Sequence, residues 1–143
     1  MPTFVGLAVA LAVAAFARIA GLDRDRAFYP VVLIVVAHYY VLFAVMAGGD
    51  GLFAELAIFA LFVAIAILGF RISLWLAAAG LALHGLFDLT RHLLMSAHGV
   101  PEYWPAFCMA FDLAAPAVLA AILLFGKHAS DSPEAEPAKN AAP

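Results

Sequence analysis

The sequence predicts an all-α fold: a polytopic integral membrane helix bundle of about five transmembrane helices, N-terminus outside and C-terminus inside. Three observations carry that prediction. Of the 143 residues, 67% are hydrophobic and 12% charged, and the mean hydropathy is +1.06. Soluble domains are nearer half apolar and a quarter charged, and so few polar groups could not cover the apolar surface of a chain this size. The apolar residues fall in runs of about 20, the length that crosses a hydrocarbon core of roughly 30 Å as a helix. The cations, finally, gather on alternate connections between those runs.

Five runs fit, in order Pro2–Ala20, Ala27–Ala47, Leu52–Phe70, Ile72–Met95 and Trp104–Phe125. The first has no basic segment ahead of it, and its first positive charge, Arg18, follows the apolar stretch, so it reads as a retained span rather than a signal peptide. The separators "GLDRDR", "GGDG", "GFR" and "SAHGVPEYWP" are rich in Gly, Pro and charge. "GFR" is the shortest and requires a tight antiparallel hairpin. Without that turn the stretch from Leu52 to Met95 is too long for one crossing, and four spans with a re-entrant segment is the alternative. Small residues crowd "AVALAVAAFA", "LAAAGLALHG" and "DLAAPAVLAA", which lets helices approach closely. Pro116 inside the last run interrupts its hydrogen bonding beside Asp112. Residues 1–127 thus form the bundle. Residues 128–143, Pro-, Ala- and acid-rich without periodicity, form a disordered cytoplasmic tail.

With the N-terminus outside, Arg18, Arg24, Arg26, Arg71, Lys127 and Lys139 lie on the cytoplasmic side and only Arg91 towards the exterior. That asymmetry sets the orientation, with Tyr103 and Trp104 at the external interface. The expected location is the cytoplasmic (inner) membrane, multi-pass, with the lipid bilayer as the first partner.

Orientation allows a depth argument. In "HGLFDLTRH", His84, Asp88 and His92 recur every four residues and share one helix face. Counted inward from the external span ends at about 1.5 Å per residue, His38, His84, Asp88 and Asp112 lie at roughly 10–17 Å. Glu55, His92 and Cys108 lie nearer 5 Å. Ionisable groups inside the spans therefore concentrate in the outer half of the membrane. An unpaired charge in hydrocarbon costs roughly 2.5–3.5 kcal/mol on insertion scales, so these groups are expected to face one another inside the bundle.

Imidazole with carboxylate suits iron or zinc, and imidazole also suits copper. The expected transition-metal ligands are His38, His84, Asp88 and Asp112, with His92 beside them. Glu55, Arg91, Cys108, His98 and Glu102 are supporting residues: Glu55 and Cys108 can complete a shallower site with His92, and His98 and Glu102 lie in the loop above. Arg91 competes with this reading, because pairing with Asp88 or Asp112 would remove a carboxylate from metal duty. The His84–His92 stripe is similar to the His boxes of membrane-bound non-haem iron desaturases and hydroxylases. The resemblance covers nine residues, and those enzymes carry several such boxes; this chain has five His in all. What it implies is redox or hydroxylase-like chemistry at an iron site, that is, a metal-dependent membrane oxidoreductase; no catalytic residue is assigned.

Other readings use the same residues differently. Haem b would take His38 with His84 or His92 as axial ligands. A proton or ion pathway would use Asp88, Asp112 and His84. A structural or accessory subunit would use the cluster only to fix helix registry. A Cys108–His92 thiolate pair is the sole nucleophile arrangement available. A lipid-soluble substrate, a partner membrane subunit and a homo-oligomer are all compatible with the pattern. No basic patch offers itself to nucleic acid, and a single cysteine excludes an internal disulfide.

Overall fold

A computed structural model describes residues 1–94 and 99–130, with the side chains of 92–94 and 126–130 outside the description. Met95, His98, the His92 side chain and the tail beyond Ser130 therefore lie outside the described residues. The chain folds as α1 (Pro2–Ala20), a short 3-10 turn (Leu22–Arg24), α2 (Phe28–Met46), α3 (Leu52–Arg71), α4 (Leu74–Leu94) and α5 (Trp104–Ser130). Each of the five apolar runs becomes one helix, and no strand occurs among the described residues. Four of the helices, α1, α2, α3 and the Trp104–Phe125 part of α5, are long and apolar enough to cross a membrane. α4 is as long but holds the buried polar groups His84, Asp88 and Arg91.

The distribution of side chains departs from that of a soluble domain. Phe4, Phe16, Phe53, Leu61 and Leu86 are exposed, while Glu55, His84, Asp88, Arg91 and Asp112 are buried. An apolar exterior around a core that carries these buried ionisable groups among its apolar residues is compatible with a bilayer as the surrounding solvent. Small residues, Ala17, Ala66 and Ala77 among them, are fully buried beside the larger Leu33, Leu81 and Leu119. Small residues at helix contacts let backbones approach closely and pack by dispersion.

α1 packs on α5, α5 on α4, α4 on α3 and α2, and α3 on α2. The α3–α4 hairpin turns at Ile72 and Ser73, one residue beyond the predicted break. Gly69 makes it possible: a Cβ there would come within 2.9 Å of the Ala77 backbone nitrogen. At the C-terminal end of α1, Arg18 pairs with Asp23 of the 3-10 turn at 2.9 Å, tying the first connection to its helix.

Candidate metal centre

α4 presents His84 and Asp88 on one side, a turn apart, and α5 does the same with Cys108 and Asp112. Gly85 lets the two helices meet. A Cβ at that position would lie 3.1 Å from the Asp112 Cβ and 3.3 Å from the Met109 carbonyl oxygen. Pro116, four residues after Asp112, has no N–H to donate, so the Asp112 carbonyl loses its helical partner next to the cluster.

All four side chains are fully enclosed: Asp112 is 0% exposed, His84 and Asp88 1%, and Cys108 2%. His84 Nδ1 hydrogen-bonds Asp112 Oδ2 at 2.7 Å and lies 3.6 Å from Asp88 Oδ2. The Cys108 thiol donates to Asp112 Oδ2 at 3.4 Å. One ligand atom from each of the four residues falls within 4.8 Å of all the others. Metal–ligand bonds of about 2.0–2.3 Å place tetrahedral donors roughly 3.3–3.8 Å apart. The 2.7 Å His84–Asp112 contact is shorter than that, so these two side chains would have to part to share an ion.

The surroundings fix these groups in place. From α2, the Tyr40 hydroxyl donates to Asp88 Oδ1 at 2.5 Å. From α3, the Phe62 ring meets the His84 imidazole edge-on, with centroids 4.8 Å apart. Arg91 pairs with Glu55 of α3, and its guanidinium carbon sits 4.3 Å above the Tyr40 ring. A continuous polar string thus runs Glu55, Arg91, Tyr40, Asp88, His84, Asp112, Cys108 across four helices. It leaves two carboxylate oxygens of the cluster, Asp88 Oδ2 and Asp112 Oδ1, buried without a hydrogen-bond partner.

Several expectations from the sequence need correction. His38 does not join the cluster: it is exposed and packs edge-on against Phe59 at 5.5 Å. Residue counting gave it a height but no facing direction, and the buried stripe of α2 runs through Leu33, Ala37, Tyr40 and Ala44. His38 falls outside that stripe, and the haem pairing of His38 with His84 has no shared interior to occupy. Cys108 belongs to the deeper set with Asp112, not to a shallower site with Glu55. Among the described residues no second group of this kind forms. Arg91 is engaged by Glu55 rather than by Asp88 or Asp112. Glu102 is exposed in the loop before α5. Tyr40 was missed, although it sits at helical spacing from the small residues Ala37 and Ala44.

No family model, curated protein or solved structure matches this chain.

Proposed function

We propose that the chain is an integral membrane protein that binds one transition-metal ion through His84, Asp88, Asp112 and Cys108. One observation carries the reading: two aspartates are fully enclosed in an apolar bundle, and the one buried arginine nearby is engaged by Glu55. Buried carboxylates in so apolar a medium need compensating charge. A divalent ion between them would supply it and take up the two oxygens that accept no hydrogen bond. The nitrogen, oxygen and sulfur donors suit zinc or iron, and copper also accepts imidazole and thiolate. Iron would bring redox chemistry, and an oxidoreductase is the activity to seek once the ion is identified. Tyr40 would act from behind Asp88, orienting the carboxylate as outer partners of metal ligands do. The cation asymmetry supports an N-out, C-in arrangement in the cytoplasmic membrane, with the cluster in the outer leaflet.

A second reading has its own support in the 2.7 Å His84–Asp112 bond. It makes the cluster a hydrogen-bonded registry device between α4, α5 and α2, with no ion. Cobalt distinguishes the two. The metal reading expects the protein purified in mild detergent to take up cobalt(II) and show both ligand-field bands and a thiolate charge-transfer band. Cys108→Ser should erase only the latter, and Asp112→Asn both. A folded protein that takes up no cobalt leaves the registry network as the reading.

A further inference from the structure

Glu55, His84, Asp88, Arg91 and Asp112 are enclosed, but His38 is not. It stands on the outer surface of α2, ten residues past Phe28 and eight short of Met46, about 12–15 Å from either end of the helix. Its ring lies edge-on to Phe59 of α3, and no hydrogen bond to either nitrogen forms among the described residues. From that depth an imidazole is too short to reach the headgroups, as long Lys and Arg side chains near helix ends do. In hydrocarbon its polar nitrogens forfeit their solvation with nothing in return. Ionisable groups inside a membrane face protein or a water-filled space. The exposed imidazole therefore marks a contact that one chain alone lacks.

The residues around it form a seam. Val31, Val35, His38, Leu42 and Val45 follow at intervals of four, three, four and three, the spacing that keeps one helix face against a parallel neighbour in a left-handed pair. The four aliphatic members are 52%, 49%, 40% and 55% exposed. They lie opposite the buried stripe through Leu33, Ala37, Tyr40 and Ala44. Such spacing belongs to any exposed helix face; the imidazole at its centre singles this one out.

We infer that α2 pairs along this seam with α2 of a second copy of this chain, His38 meeting its counterpart at the centre. Copies inserted in one orientation are related by a two-fold axis along the membrane normal, so the two helices run parallel and each seam residue meets itself. A neutral imidazole donates through one nitrogen and accepts through the other, which makes an identical ring a complete partner. The valines and the leucine are likewise their own complement, and the seam carries no acidic, lysine or arginine side chain to repel its copy. Histidine is among the side chains that hydrogen-bond between helices in membranes, and a polar group in an apolar seam fixes register. The pairing rests on the membrane location proposed above and does not require the metal.

The test uses the full chain in liposomes at large lipid excess. Val35→Cys, His38→Cys and Leu42→Cys should each form a crosslinked dimer with a short bis-methanethiosulfonate. Leu11→Cys and Leu86→Cys, exposed on α1 and α4, should not, nor should the unmodified protein with its buried Cys108. Energy transfer between donor- and acceptor-tagged chains, followed as lipid is added, gives the dissociation constant. His38→Leu, which keeps the bulk, should raise it about threefold to tenfold, the worth of one interhelical hydrogen bond in lipid. His38→Asn, which can both donate and accept, should recover most of that loss. Energy transfer no greater than random proximity, crosslinking at position 11 or 86 in place of 38, or an unchanged constant in His38→Leu overturns the inference. So does crosslinking of position 38 to a different protein in the native membrane. An alkaline carbonate wash of that membrane separates the two proposals. A chain released by the wash refutes the membrane reading, and a chain retained but monomeric refutes the pairing alone.

Discussion

Replacing Arg91 with Met removes the charge while keeping most of the side chain's length. Glu55, enclosed at 4% exposure, then keeps a carboxylate with no partner for either oxygen, since Oε2 has none even in the intact protein. Removing one member of a buried pair costs about 3–5 kcal/mol. The lost stack of the guanidinium on Tyr40 adds about 0.5–2 kcal/mol. Polar contacts in lipid average less than in water-soluble cores because the unfolded helices also find partners. The expected loss for Arg91→Met is therefore about 3 kcal/mol. Glu55→Met should cost less, because Arg91 keeps the face of the Tyr40 ring. The double variant should be milder than the sum of the two by at least about 2 kcal/mol. Helicity followed through a titration from mild detergent into dodecyl sulfate measures all four corners of this cycle. Additivity within about 0.5 kcal/mol would refute the pairing. It would also return Arg91 to the pool of cations available to Asp88, which weakens the case for an ion. If the pairing holds, the metal content of the Arg91→Met protein, where it still folds, stays at the unmodified level.

Three further outcomes follow from the geometry. Tyr40→Phe deletes the hydroxyl that donates to Asp88 and should weaken metal binding about 10–100-fold with little change in helix content, measured by competition with a chromogenic chelator. His38→Ala should leave metal affinity unchanged, since that imidazole is exposed on the far side of α2's buried stripe. Gly85→Ala sets a methyl 3.1 Å from the Asp112 Cβ, so α4 and α5 must part slightly; a loss of about 1–3 kcal/mol in the dodecyl sulfate titration is expected, together with weaker metal retention.

The helices were legible because their signal is length and apolarity, and each run between Gly- and charge-rich separators folded as one element. The site was legible where one helix carried two members. His84 and Asp88 recur at four residues, and so do Cys108 and Asp112, although depth counting split the latter pair into separate tiers. Residues four apart on a helix stack on one face a turn apart, near enough for the Cys108 thiol to reach Asp112 Oδ2 at 3.4 Å. Depth is also silent about azimuth. His38 matched the cluster by residue count, but α2 is so apolar that its pattern does not show which face turns inward. Only its small residues, Ala37 and Ala44, mark the packed side, and Tyr40 lies between them. The Glu55–Arg91 pair joins helices far apart in sequence, and no local spacing encodes it.

The central claim is that an ion sits among His84, Asp88, Cys108 and Asp112, and its most direct measurement is metal per chain. Protein purified in mild detergent without chelator, then analysed for all first-row metals, should carry close to one equivalent of a single element. The Asp88→Asn/Asp112→Asn variant, nearly isosteric and without the two negative charges, should carry none while remaining helical. An unmodified protein that is fully helical, holds no stoichiometric metal and acquires none from added zinc or iron(II) would contradict the account.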